Sequence, residues 1–252
     1  MLFFKNLVMK TPDTTKYEEY KEYMDFSEYE GAGWITLRAA GWTKLIHEML
    51  DSRFLADLNL KPIKERCWAS DYDDGRRKVI SLFLINDMYA TIKWGWNFSY
   101  IPRISGNKCT WARTDKSIYI HTFRLSERFI NGSNDHEGYE KVVFGRTSVS
   151  KPEEFINRIV QDIDTAYQFV KKDMKSYYEK TATYDGMLSE LENICENLYY
   201  SFVHPENYLV RIGVENYMGK KEKALEKFEK MCGAYFKDNE MLRAEYRKKL
   251  GM

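Results

Sequence analysis

Apolar and polar positions change period twice along this chain. Tyr17, Tyr20, Tyr23 and Met24 recur at helical spacing, and Glu18, Glu19, Glu22 and Asp25 take the opposite side. Pro12-Asp13-Thr14-Thr15 supplies a turn and a helix start, and Gly31-Ala32-Gly33 closes the unit. A second helix is predicted over 43–55, with Leu45, Ile46, Met49 and Leu50 on one side and Thr43 as its cap. The period then drops to two. Pro62 precedes a predicted strand over 63–69, and Asp71 to Gly75 reads as a hairpin loop. Residues 78–85 form a nearly continuous apolar run, the pattern of a central strand covered on both faces. After Asn86-Asp87 the chain returns as a strand over 89–100. Strands over 109–113 and 118–123 follow, and 141–147 reads as an edge strand.

The helical period returns near Ser150. Ser150 and Glu153 match a capping box, and Phe155, Ile159, Ile163, Ala166, Tyr167 and Val170 extend one stripe toward Tyr178. Asp185 starts a further helix carrying Leu188, Leu191, Ile194, Cys195 and Leu198. Helices over 207–217, 220–232 and 239–250 complete the chain. The class expected is α+β: an antiparallel meander of about five strands, covered by N-terminal helices and one long helix. A C-terminal helical hairpin region follows. The division expected is a sheet domain over 1–180 and a helical region over 181–252.

Composition narrows the functional classes. A 44% hydrophobic share permits a real core, while a net charge of +1 lacks the basic excess of a general nucleic-acid or membrane binder. No apolar run approaches the roughly 20 residues that span a bilayer. Cys67, Cys109, Cys195 and Cys232 are scattered, without zinc-ribbon or redox spacing, so reduced thiols and a cytoplasmic setting are expected. Phosphate-loop, dinucleotide, zinc-protease and hydrolase motifs are absent from the sequence, and no cofactor is expected. Asp135-His136-Glu137 and the Asp71, Asp73, Asp74 cluster read as solvated turns, so no metal is expected either.

Candidate binding chemistry concentrates in one block. Trp94, Trp96, Phe98 and Tyr100 alternate with Lys93, Gly95, Asn97 and Ser99, which puts four rings on one strand face. Between Lys61 and Arg128 there are 13 Lys and Arg against 7 Asp and Glu. Rings that stack bases beside cations that hold phosphates are what single strands and nucleotides require. The candidate residues are Trp94, Trp96, Trp111, Arg77, Arg113, His121 and Arg124. The competing reading makes the rings core and the cations the rim of the sheet.

The stretch from Tyr208 through Gly213, Tyr217, Gly219, Ala224 and Leu225 to Phe228 resembles half of a tetratricopeptide unit joined to the next. That resemblance implies protein–protein contact. The order helix, meander, long helices over about 42–170 is similar to uncharacterised bacterial α+β domains, which supply no catalytic residues to transfer. The expectation is a non-enzymatic interaction protein with a protein partner, an accessory or immunity-type component of a bacterial system. Self-association fits the same reading. The alternative is a nucleic-acid or nucleotide binder, a nuclease included.

Overall fold

A computed structural model describes residues 14–29, 32–85, 89–132, 136–145, 151–193, 202–231, 235–237 and 239–252; side chains at 14–15, 27–29 and 32–34 are excepted. Helix α1 (Thr14–Tyr20) ends earlier than its apolar spacing predicts. A single 3-10 turn follows, and the chain then forms the hairpin β1 (Met24–Tyr29) and β2 (Ala32–Leu37). This hairpin is a departure from the predicted helical unit. Met24 and Leu37 pair across it and are both buried, so tertiary packing overrides the helical period. Helix α2 (Ala39–Leu58) outruns its prediction at both ends and buries Leu45, Ile46, Leu50, Phe54 and Leu58. Asn59 closes it in the left-handed conformation.

The predicted strand over 63–69 is two strands, β3 (Lys61–Lys64) and β4 (Cys67–Ala69). The turn between them holds Arg66 at φ 55°, a bend that apolar periodicity does not reveal. Strands β5 (Arg76–Ile85) and β6 (Tyr89–Phe98) pair antiparallel over their full lengths. Next come the small hairpin β7 (Arg103–Ser105) and β8 (Lys108–Thr110), then β9 (Thr122–Arg124). Helices α3 (Glu127–Ile130) and α4 (His136–Glu140) are short, and β10 (Phe144–Gly145) is a two-residue edge strand. The main sheet runs β10-β6-β5-β4-β3, with β9 sharing the β6 edge. The α+β class and the antiparallel sheet therefore stand as predicted. Residues 109–113 do not join that sheet, because β8 pairs only with β7.

Helix α5 (Pro152–Lys180) lies across one face. Its stripe of Phe155, Ile159, Ile163, Tyr167, Val170 and Met174 is buried, as the 3.6-residue spacing dictates. Lys151 is its N-cap and makes no side-chain cap bond; the predicted partner Ser150 lies outside the described residues. Asp57 of α2 braces the two helices by accepting from Lys175 at 2.9 Å and pairing with Lys171 at 2.9 Å. Helix α6 (Tyr184–Glu192) is capped by Thr183, while Ile194, Cys195 and Leu198 lie outside the described residues. Helices α7 (Asn207–Tyr217), α8 (Lys221–Met231) and α9 (Glu240–Leu250) form a second core around Ile212, Phe228, Phe236 and Tyr246. Gly219, at φ 82°, turns α7 into α8, and Ala224 lets the two pack closely. Cys109 of β8 belongs to this second core, so the tail is built partly on the β7–β8 hairpin.

Candidate functional site

The tryptophans that the sequence singles out are core. Register fixes this: Trp94 opposes Ile80 and Trp96 opposes Lys78, and that face of β6 lies under α5. Trp94 is 2% exposed and Trp96 5%, so neither offers a ring to a base. Trp96 Nε1 donates to Thr181 Oγ1 at 2.8 Å, and its ring meets Tyr178 edge-on. Gly95 lies between them because the β9 backbone crosses there; a Cβ would fall 1.7 Å from the Thr122 carbonyl oxygen. The Tyr178 hydroxyl fills this crossing. It accepts from the Gly95 N–H at 3.2 Å and lies 2.9 Å from the Val79 carbonyl oxygen.

The cations of the block are committed elsewhere. Arg77 is 4% exposed; it donates to Asn97 Oδ1 at 3.1 Å and Asp115 Oδ1 at 2.5 Å. Arg124 donates twice to Glu190 Oε1, at 3.1 and 2.8 Å. Arg76 holds the end of α5 through the Thr181 and Ala182 carbonyls, a cation at a helix C-terminus. His121 is fully buried. Its Nδ1 accepts from the Phe98 N–H at 3.1 Å and its Nε2 donates to the Ile101 carbonyl at 2.9 Å. Burial pushes its pKa down to about 3, so the ring is a neutral structural strut. Arg113 and Trp111 stack at 3.6 Å near Lys249, on the tail side of the molecule. The seven candidates thus divide among three places: Trp94, Trp96 and Arg124 under α5, Arg77 and His121 on the reverse face, and Trp111 with Arg113 beside α9.

Two surfaces that the sequence did not single out carry more shape. The first is on the reverse face of β6. Lys93 points there, half-buried, with its Nζ 5.0 Å from the Phe123 centroid and 5.9 Å from that of Phe83. Among the described residues no carboxylate pairs with it. A pocket of about 540 Å³ surrounds it, lined by Cys67, Ser81, Ile118, Tyr119, Phe123 and His204 among others. Burial lowers the Lys93 pKa, and burial followed by the Lys93 charge lowers that of His204. Burial also pushes the Cys67 thiol up to about 11, which keeps it protonated and unreactive. His204 arrives from more than 80 residues away in sequence, because the 202–204 segment pairs with β9 at Thr122 and Val203. Only Lys93 left a mark in the sequence, as a charge between Ile92 and Trp94 in an otherwise apolar strand.

The second surface lies where β5 ends and β6 begins. A groove of about 360 Å³ is floored by Trp42, Ile46, Leu82 and Phe144. Leu84, 47% exposed, and Tyr89, 39% exposed, stand on its rim. Among the described residues, no three His, Cys, Asp or Glu side chains are grouped to hold a metal, and no helix is long and apolar enough to cross a membrane. No protein-family model matches this chain, and no curated protein or solved structure matches it either.

Proposed function

We propose that this chain works by contact, as a non-enzymatic interaction component of the accessory or immunity type, and that the hairpin-end groove is its contact face. One observation carries the reading. Leu84 and Tyr89 project beside a hollow floored by Trp42, Ile46 and Phe144, so knob and hole share one patch. Exposed apolar rims around a groove mark contact sites, since solvated surfaces rarely leave such side chains together. A patch bearing both shapes suits a second copy of the chain, with each copy's knobs entering the other's hollow in an isologous pair. The setting attached to this reading, a bacterial cytoplasm, rests on the resemblance over residues 42–170 and on the scattered cysteines. Nucleic-acid binding has less support, because the rings it needs are buried and Arg77 and Arg124 are paired with carboxylates.

Sedimentation velocity over the micromolar range tests the contact face. The native chain is expected to show a concentration-dependent dimer. Leu84→Asp and Tyr89→Asp should give monomers with unchanged melting temperatures, because both side chains are already exposed. A native chain that stays monomeric across the range, or a dimer that survives both substitutions, removes this face from the proposal.

A further inference from the structure

We propose that the pocket over Lys93 is a binding site for a small monocarboxylate with an apolar body. The argument starts from the ammonium. A half-buried charge without a counter-charge costs free energy, and proteins ordinarily pair it. Lys93 has two phenyl rings instead, at 5.0 and 5.9 Å, which recover part of that cost through their negative faces. An anion entering the pocket supplies the missing partner. The acid among the pocket's lining residues is Glu65, which pairs with Arg66 at 3.6 Å and accepts from Thr43 Oγ1 at 3.2 Å.

The lining selects the rest of the ligand. Ile118, Ile120, Phe123 and Leu82 give an apolar wall, and Ser81, Tyr119 and His204 add polar atoms beside the charge. Burial pushes the Tyr119 hydroxyl up to about 12, so it keeps its proton and can donate. About 540 Å³ is the size range of small-ligand clefts, which are mostly apolar with a few placed polar groups. The choice of carboxylate over phosphate follows from charge count. Phosphate sites use a helix N-terminus, a guanidinium fork or several cations. Here one half-buried ammonium stands against the apolar wall, while the pocket's other cations are Lys64, which is exposed, and Arg66, which is engaged with Glu65. One half-buried charge beside an apolar wall matches a monoanion with a hydrocarbon end.

Calorimetric titration of the full chain with octanoate tests this, with octanol and inorganic phosphate as controls. Octanoate is expected to bind, and octanol and phosphate to bind at least about tenfold more weakly, since only octanoate joins a charge to an apolar body. Lys93→Met should weaken octanoate by about tenfold or more while leaving octanol unchanged. Lys93→Arg should keep part of the affinity. Circular dichroism confirms that both variants fold. As a second readout, the Lys93 amine, followed by NMR after reductive methylation, should rise in pKa when octanoate is added. Octanoate that binds no better than octanol, that ignores Lys93→Met, or that leaves the Lys93 resonance unmoved overturns the proposal. Equal binding of phosphate also overturns it. The Tyr89→Asp variant should bind octanoate normally, since Tyr89 lines the groove and not this pocket, which separates this site from the contact face.

Discussion

The two faces of β6 are built from alternate residues of one strand, and they do opposite things. Ala90, Ile92, Trp94, Trp96 and Phe98 are sealed beneath α5. Thr91, Lys93, Gly95 and Asn97 look the other way, where the curled sheet meets β9, the 112–121 segment and the 202–204 segment. There, polar atoms are satisfied one by one: Thr91 Oγ1 donates to the Val142 carbonyl at 2.7 Å and Asn97 Nδ2 to the Ala112 carbonyl at 3.2 Å. Lys93 is the exception, charged and without an acidic partner among the described residues. The difference shows that large rings are poor markers of function when a helix needs a floor. An unpaired charge in a covered strand is the better marker, because packing alone gives no reason to keep it.

The largest effect expected from this contrast is on the sealed face. Trp96→Ala removes a buried indole and its bond to Thr181, and the loss should be about 3–5 kcal/mol in urea unfolding. Trp94→Ala should fall in the same range. A loss below about 0.5 kcal/mol, the figure for surface positions, would mean the face is not closed.

Next is the hydroxyl that crosses the sheet. Tyr178→Phe keeps the ring but leaves the Gly95 N–H without its acceptor at a site where Tyr178 is 4% exposed. The expected cost is about 1–3 kcal/mol, that of an unsatisfied buried group. Hydrogen exchange at the Gly95 amide provides the local readout. It should quicken more than that of its neighbours.

His121 gives the contrast a pH dependence. Burial holds its pKa in the fold at about 3, against 6.5 for the solvent-exposed ring of the unfolded chain. The unfolded chain therefore takes the proton first as pH falls. The contribution of the neutral ring is complete above about pH 6.5 and is lost progressively below it. Urea midpoints should drop from about pH 7 to about pH 5 in the native chain, and His121→Asn should flatten that slope while lowering the neutral-pH midpoint. An unchanged slope in the variant would show that another group carries the dependence.

These cases mark what the sequence made legible. The long helix was readable from Phe155 to Val170 because a single stripe at one spacing admits one face. Strands β5 and β6 were readable because a nearly continuous apolar run over 78–85 and an alternating aromatic stretch over 89–100 flank the pair Asn86-Asp87. The β1–β2 hairpin was hidden because Tyr20, Tyr23 and Met24 keep helical spacing through the point where the helix stops. The split of 61–69 was hidden because Arg66, a residue that rarely takes positive φ, makes the turn. The Lys93 pocket was out of reach for a different reason. Its members come from the end of β3 and the turn after it, β4, β5, β6, the 118–123 segment and His204, so no local spacing announces them. Alternation predicted that the four rings share a face; which face the helices cover is a tertiary fact.

The smallest effect is the sharpest test, because its sign is unusual. Most substitutions of covered residues destabilise. Lys93→Met should instead leave stability unchanged or raise it by up to about 1 kcal/mol, since it exchanges a half-buried, unpaired charge for a side chain of similar length that packs against Phe83 and Phe123. The pH dependence follows from the lowered pKa. Folding holds the charged amine less well than water does, so its cost is present at neutral pH and fades as the amine loses its proton below the reference value of 10.5. The advantage of the methionine variant should therefore shrink as pH rises toward 10.5, measured as the difference in urea midpoints. A variant that is less stable at neutral pH by more than about 1 kcal/mol would mean that Lys93 has a partner in the fold, and the reverse face would then be as closed as the one beneath α5.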